Sequence, residues 1–310
     1  MTSIEWTGET WNPVVGCSKV SEGCRNCYAI NQAYRNNAMG QSRLKEKRGR
    51  LRYYEGLTEK RGDRVEWTGK VVFVPEALDI PRKTCKPTVW FVNSMSDLFH
   101  ELVTNKQLDQ IFAVMALTPQ HTYQILTKRP ERMLEYMQNS SERIKSEALI
   151  SFLEGNEDQY TICDRLQFPL PNVWLGVTVE NQKAANDRIY SLLETPAAIR
   201  FLSCEPLLEE IDFTGIEDSD LLGEIDWVIV GGESGYGARP CEIKWIRSIV
   251  KQCQDAEVPV FVKQLGSHPF IQLIPELGGK IPWTKSTGKG GNISEFPEDL
   301  QIREMPINAR

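Results

Sequence analysis

A series of short apolar segments, rich in β-branched and aromatic residues, is the feature that most restricts the fold of this chain. Most are continuous apolar runs rather than alternating ones, as expected of strands that are covered on both faces. Helical patterns separate several of them, as in residues 105–117, 129–137, 182–193 and 243–256. The alternation predicts an α/β fold, a (β/α)₈ barrel, with a doubly wound open sheet as the main alternative. The eight predicted strands are 12–16, 71–74, 88–92, 122–126, 172–177, 199–202, 226–230 and 258–262.

Polar residues that can take part in chemistry follow six of these strands directly. In a (β/α) barrel the carboxyl ends of the strands form the mouth that holds the active site. Strand ends are polar in any fold because loops begin there, so one or two polar ends would indicate little. Six polar ends favour a shared functional site. We expect the side chains to converge on one mouth, with Lys128, Glu233 and Lys263 in catalysis. Ligand binding is expected for Asn93, Ser94, Asp97, Thr178, Glu180 and Glu205.

Each of these residues also has a plainer interpretation. The polar loop after the third predicted strand, which contains Asn93 and Asp97, could simply cap the following helix. Glu233 follows two glycines, and Gly231-Gly232 could serve a tight turn. Lysines at strand ends often extend their charged heads to solvent. These alternatives stay open at the level of sequence.

Two insertions and a distinctive C-terminal segment accompany the predicted barrel, which we treat as one domain over residues 1–310. The first insertion, 41–64, is basic, and the second, 138–171, separates the fourth and fifth strands. The segment 264–310 begins rich in glycine and proline, and its final part is expected to form a hairpin or tail that closes the barrel.

The charge distribution limits the partners that we expect. The chain of 310 residues has a formal net charge of −6, which argues against a generally basic nucleic-acid-binding surface. From Arg43 to Arg64, however, nine Lys or Arg residues stand against four acids, with Tyr53 and Tyr54 between them. Such a stretch could follow a phosphate backbone while an aromatic ring stacks on a base. A solvated charged insertion is the alternative.

No apolar run approaches the ~20 residues that span a bilayer, so no membrane association is expected. The first residues also lack the basic and apolar regions of a signal peptide. Cytoplasmic localisation is therefore expected, and disulfides are rare in that compartment.

Three of the eight cysteines, Cys17, Cys24 and Cys27, crowd into eleven residues, which calls for another explanation. Three thiolates are one fewer than a closed zinc site or a fully protein-ligated cluster requires. A distant fourth ligand must exist, or one metal position stays open for chemistry. No second Cys-x-x-Cys or nearby histidine is present. The pattern favours an open iron–sulfur site, with zinc or metal-free thiols as alternatives.

This cysteine loop resembles the cluster-binding loop of radical S-adenosylmethionine (SAM) enzymes. The resemblance implies a [4Fe-4S] cluster whose fourth iron binds the amino and carboxylate groups of SAM. Two details depart from the usual pattern. The spacing is six residues then two, instead of three then two, and the aromatic Tyr28 follows the third cysteine instead of preceding it.

Motifs are spread along nearly the whole chain: Trp11 to Pro13, Phe91 to His100, Leu126 to Pro130, Asn172 to Val177, Phe201 to Leu207 and Gly231 to Ser234. Together they resemble the phage-encoded three-cysteine-motif proteins. The resemblance implies a radical-SAM-like enzyme on a barrel of TIM-like or radical SAM type, often accompanied by a separate partner protein. It further implies an electron donor of flavodoxin or ferredoxin type, with Tyr28 among the SAM-binding residues, and it supplies no substrate. The alternative function is a metal-stabilised nucleic-acid-binding module without catalysis.

Overall fold

The structure is a computed structural model that describes residues 4–42, 49–152, 166–214, 221–274, 279–284 and 288–306. The strands are β1 (Glu9–Trp11), β2 (Val14–Val15), β3 (Thr58–Arg61), β4 (Arg64–Trp67), β5 (Val72–Phe73), β6 (Val89–Val92), β7 (Thr122–Thr127), β8 (Val173–Thr178), β9 (Ile199–Cys204), β10 (Trp227–Gly231), β11 (Cys241–Glu242), β12 (Val260–Gln264), β13 (Pro269–Ile274) and β14 (Gly279–Pro282). The helices are α1 (Tyr28–Gln41), α2 (Asp79–Lys83), α3 (Asn105–Ala116), α4 (Pro130–Gln138), α5 (Ser141–Phe152), α6 (Gln182–Glu194) and α7 (Ile243–Asp255).

A parallel sheet of seven strands forms the centre of the fold, in the order β1-β6-β7-β8-β9-β10-β12. The predicted α/β class is therefore confirmed. The sheet curls as a half-barrel, and β1 and β12 are its two edges. A closed barrel of eight strands is thus not formed within the part of the chain that the structure describes.

Two of the predicted barrel strands were wrong. The first sheet strand is Glu9–Trp11, earlier than the predicted 12–16, and Val14–Val15 leaves the sheet to pair with β5. The predicted second strand, 71–74, shortens to Val72–Phe73 and forms only this two-stranded ribbon. Pro13 interrupts the first run because it has no N–H for a sheet ladder, and Pro75 ends the second.

Local sequence explains where two of the helices begin. Thr104 and Gln107 form a reciprocal capping box at the start of α3, with Thr104 Oγ1 accepting from the Gln107 N–H. Pro130 is the first residue of α4, where the missing N–H costs nothing. Helix α4 therefore starts shortly after the polar end of β7, whereas a longer loop separates α3 from the end of β6.

The chain divides into two compact units. One contains 1–20, 27–175 and 194–198, and the other contains Ser21–Asn26, Gly176–Leu193 and Ile199–Arg310. In the first unit, Phe112 and Tyr136 pack with ring centroids 5.3 Å apart, and Trp11 lies 5.5 Å from Tyr123. In the second, the ring of Trp227 packs 5.8 Å from that of Phe201. Each unit thus has its own aromatic core.

The final described segment pairs with the edge strand β12. The Val262 N–H donates to Ile302 O over 2.9 Å, and the Glu304 N–H donates to Val260 O over 3.0 Å. These bonds satisfy backbone groups that an open sheet edge would leave exposed. Three short strands earlier in the chain, β11, β13 and β14, form a separate sheet in which β13 and β14 are antiparallel.

Parts of both predicted insertions lie outside the described residues. In the basic insertion this applies to residues 43–48, and the rest forms a 3₁₀ helix (Gly49–Tyr54) and the β3–β4 hairpin. In the second insertion it applies to residues 153–165, which follow α5. None of the helices in the described ranges is long and apolar enough to cross a membrane.

Candidate functional site

Each of the three clustered cysteines is partly exposed. Cys17 Sγ donates to Ser18 O over 3.4 Å, and Cys24 closes a short 3₁₀ turn, Glu22–Cys24. Cys27 is the residue that precedes α1. Across the described ranges, no three side chains of His, Cys, Asp or Glu are grouped so that they could hold a metal ion.

Gly16 fixes the direction in which the chain enters Cys17. Its φ is +90°, and an added Cβ would lie 2.2 Å from Lys70 O. Its N–H donates to Met95 O over 3.1 Å. Only glycine satisfies both this left-handed backbone and this close approach.

Asp97, predicted to bind a ligand, is instead surrounded by protein donors. Its Oδ1 accepts from Thr127 Oγ1 over 2.7 Å and from the Phe99 N–H over 3.0 Å. Its Oδ2 accepts from the Lys128 N–H and from Arg129 Nη1, both over 3.1 Å. Asp97 therefore joins the end of β7 to its own loop. Lys128 joins these hydrogen bonds through its backbone N–H.

Arg129 carries this network to the residue that follows Cys17. Its side chain is almost fully buried, and Nη2 donates to Ser18 Oγ over 2.9 Å. Burial alone would lower the pKa of Arg129, but the charge of Asp97 and the hydrogen bond to Glu101 outweigh burial and raise it. A permanent cation therefore holds Ser18.

His100 holds the same serine. Its Nδ1 accepts from the Leu102 N–H over 3.1 Å, so Nε2 carries the hydrogen and donates to Ser18 Oγ over 2.9 Å. Burial, followed by the nearby charge of Arg129, lowers the pKa of His100 and keeps the ring neutral. Ser18 is thus fixed by two buried side chains.

Asn93 has unused hydrogen-bonding capacity. It lies directly after β6 with φ 61°, and its Oδ1 accepts from the Val14 N–H over 3.4 Å. The side chain is 4% exposed, and Nδ2 is buried with no hydrogen-bond partner among the residues that the structure describes. Next to it, Ser94 Oγ donates to Asn12 Oδ1 over 3.1 Å, and Ser94 O accepts from Tyr28 over 2.8 Å. Tyr28 is 58% exposed, so its ring faces solvent.

Glu180, in the second unit, is completely buried and paired with Arg188. Arg188 Nη1 donates to Glu180 Oε2 and to Thr178 O, both over 2.7 Å. The carboxyl group also lies against Gly23, where an added Cβ would be 3.0 Å from Glu180 Cδ. The end of β8 thus supports the turn that contains Cys24.

Glu233 is bound by an arginine and by an asparagine of the cysteine loop. Arg239 donates to it from Nη2 over 2.6 Å and from Nε over 2.9 Å, and Asn26 Nδ2 donates over 3.0 Å. Burial would raise the pKa of Glu233, but the hydrogen bonds from Arg239 and Asn26 lower it overall. Arg239 Nη1 also donates to Glu22 O over 3.0 Å.

Glu205 and Lys263, at the ends of β9 and β12, form an ion pair. Lys263 Nζ lies 2.8 Å from both carboxylate oxygens, and Gln264 Nε2 donates to Oε1 over 2.9 Å. Both charged side chains are 16% exposed. The ion pair is therefore largely buried, with a small part of each side chain accessible to solvent.

The predicted residues gather into two sets. Asn93, Ser94, Asp97, Lys128 and Tyr28 lie in the first unit, and Thr178, Glu180, Glu205, Glu233 and Lys263 lie in the second. Their convergence on one mouth stays a prediction.

The partners of these residues were not predicted from the sequence. Arg129 follows Lys128, which was predicted to be catalytic. An arginine at the end of an apolar strand could have been recognised as a candidate site residue. Asn26 lies inside the cysteine loop. Arg188 and Arg239 gave no local signal, because each lies several residues beyond the carboxylate that it binds.

Comparison with known proteins identifies a family. No curated protein and no solved structure matches the chain at a significant level. A family model described as "Protein of unknown function (DUF5131)" matches residues 1–289. That range includes the cysteine loop and every strand of the seven-stranded sheet. The chain therefore belongs to the DUF5131 family.

Proposed function

We propose that this protein is an iron–sulfur enzyme of the radical SAM type, in which Cys17, Cys24 and Cys27 bind three irons of a [4Fe-4S] cluster. The observation that carries the proposal is the contrast between the thiols. The three clustered ones are partly exposed, whereas the thiols of Cys204, Cys241 and Cys253 are buried. Partly exposed thiols in a short loop suit metal binding, while buried ones behave as small apolar groups.

The donor set fits such a cluster in number and in charge. Three thiolates leave one iron without a protein ligand, as SAM binding requires. The charge of Cys17 acts on the buried cation of Arg129, and Cys27 lies at the positive end of the 14-residue helix α1. Both features favour an anionic centre. A curled parallel half-barrel also suits a radical SAM fold.

When bound, the cluster and SAM would supply reductive SAM cleavage and radical chemistry on a substrate, while the chain supplies position and exclusion of water. In this proposal Asn93 Nδ2 donates to an oxygen atom of SAM, Ser94 Oγ accepts from its amino group, and Tyr28 packs beside it. Lys263, with Glu205, and Lys128 hold or move protons on the substrate. Asp97, Thr178 and Glu180, whose polar groups are engaged within the protein, act by supporting these residues.

Three kinds of partner belong to the proposal. A flavodoxin- or ferredoxin-type donor supplies the electron, and a separate partner protein accompanies the enzyme. A nucleic acid or nucleotide is the substrate class that the stretch from Arg43 to Arg64 favours. In its described part, Arg50, Lys60 and Arg64 are exposed, and Lys60 Nζ lies 5.9 Å from the centroid of the Tyr34 ring.

The decisive experiment is anaerobic reconstitution with iron and sulfide, followed by SAM cleavage with a chemical reductant. The native protein should bind about four irons per chain and cleave SAM, as a [4Fe-4S] cluster requires. Replacing Cys17, Cys24 and Cys27 together by Ala should abolish both. The controls Cys85→Ala and Cys253→Ala, one exposed and one buried, should retain both.

Retained iron in the triple variant would contradict the proposal. One zinc per native chain, with binding to oligonucleotides that weakens steeply with salt, would instead favour the alternative of a metal-stabilised nucleic-acid-binding module. The exposed cations named above are the observation in favour of that alternative.

A further inference from the structure

We propose that Glu180, Glu233 and Arg239 form a clamp that positions the turn bearing Cys24, and that Glu233 is a positioning residue rather than a catalytic one. The clamp means these three side chains, and the Cys24 turn means Ser21–Asn26, all within one compact unit. The inference deepens the proposed function, on which it rests only for the role of Cys24 as a metal ligand.

The clamp contacts the Cys24 turn on both sides of the cysteine. Two residues before it, Glu22 O accepts from Arg239 Nη1 over 3.0 Å. Two residues after it, Asn26 Nδ2 donates to Glu233 Oε2 over 3.0 Å. Because Arg239 and Glu233 also bind each other, one ion pair connects the contacts on the two sides of the cysteine.

The third contact prevents the turn from moving inward. Gly23 is buried, and an added Cβ would lie 3.0 Å from both Cδ and Oε1 of Glu180. Glu180 cannot yield, because it is completely buried and its carboxylate is bound by Arg188 over 2.7 Å. A buried charge of this kind stays with its partner, since separation would leave it unpaired.

The hydrogen-bond count distinguishes a positioning from a catalytic role for Glu233. Its carboxylate accepts four hydrogen bonds, from Arg239 N, Nε and Nη2 and from Asn26 Nδ2, over 2.8, 2.9, 2.6 and 3.0 Å. An ionised carboxylate offers about four acceptor sites. Three of the four bonds are to Oε2 and one is to Oε1, so about one acceptor site is left for the ammonium or hydroxyl group of a ligand. Glu205, in contrast, binds only Lys263 and Gln264 among the contacts described above.

The backbone of the turn gives a readout that needs no metal. The Cys24 N–H donates to Ser21 O over 3.0 Å, and the Arg25 N–H donates to Glu22 O over 3.1 Å. If the clamp holds the turn, hydrogen exchange at these two amides reports on it. Local opening exposes them, and the exchange rate follows the free energy of that opening.

The test combines hydrogen exchange of the full-length, metal-free chain with reconstitution of the same variants. Asn26→Ala and Glu233→Gln should each accelerate exchange at Cys24 and Arg25 by about tenfold, the loss expected for a charge-assisted hydrogen bond. Both should lower iron content after reconstitution. The matched control is Asp299→Asn, which removes the charge of a carboxylate bound by Arg247 through two nitrogens. It should change neither quantity.

Two outcomes would overturn the inference. Unchanged exchange in Asn26→Ala and Glu233→Gln would show that the contacts do not hold the turn. Full iron content and unchanged exchange in Glu233→Gln, combined with lost SAM cleavage, would make Glu233 catalytic. A native chain that binds no iron would end the proposed function, yet the exchange rates would still decide whether the clamp exists.

Discussion

At the scale of single residues, close approach to Glu180 decides what position 23 tolerates. Replacing Gly23 by Ala should lower the free energy of unfolding by about 1–3 kcal/mol, because the new methyl group meets a buried carboxyl that cannot move. Urea denaturation measures the loss. The control is Gly288→Ala, where an added Cβ meets nothing within 4 Å. Equal stability of the two variants would contradict the close contact.

The same scale shows what the sequence could and could not predict of the site. The cysteine cluster and the polar strand ends are local patterns, and both were found in the sequence. The partners of those strand ends are not local, because Asn26 and Glu233 are 207 positions apart. The position of Glu233 at a strand end therefore identified it as a chemically capable group, whereas only the fold reveals that its carboxylate already accepts four hydrogen bonds.

At the scale of elements, helix α7 ends with an unusual residue. Glu257 has φ 56°, and the Val258 N–H donates to Cys253 O over 2.8 Å, which closes the helix in a Schellman-type turn. Glycine normally occupies this position because a side chain is strained there. Glu257→Gly should therefore raise the free energy of unfolding by about 1 kcal/mol.

Urea denaturation of Glu257→Gly and Glu257→Ala separates backbone strain from charge. The alanine variant removes the carboxylate but keeps the Cβ, so it should show little of the gain. A glycine variant less stable than the native protein would mean that the left-handed turn is not formed.

Elements also show where periodicity misled the fold prediction. Six of the eight predicted strands overlap strands of the seven-stranded sheet, because they are long apolar runs that must be covered on both faces. Residues 71–74 have the same composition, but only Val72 and Phe73 pair, and they pair with Val14 and Val15. Four apolar residues do not specify which sheet they join. The pairing of Ile302 with Val262, which covers β12, likewise leaves no pattern in the sequence.

At the scale of the whole molecule, the seven cysteines that the structure describes should fall into two classes of reactivity. Burial raises the pKa of Cys241 and of Cys253 to about 12, and it raises that of Cys204 as well. Thiolates are the reactive form, so these three should not react with a thiol reagent in the native, metal-free protein. Those that should react within minutes are Cys17, Cys24, Cys27 and Cys85.

Mass spectrometry of the labelled peptides checks this division, with urea-unfolded protein as the control in which all cysteines react. Labelling of Cys253 or Cys204 at the rate of Cys85 would show that the core of the second unit opens readily. Reconstitution with iron should then protect the three clustered cysteines and leave Cys85 reactive.

The long-range contacts of the Cys24 turn have a consequence for biosynthesis. Glu22 and Arg239 are separated by 217 positions, and at about 5–20 residues per second a ribosome needs roughly 10–40 s to cover that distance. The thiols are therefore made early, and the side chains that hold the turn are made late. During translation the nascent chain presents three unprotected thiols, so oxidants and stray metals can reach them before the clamp has been synthesised.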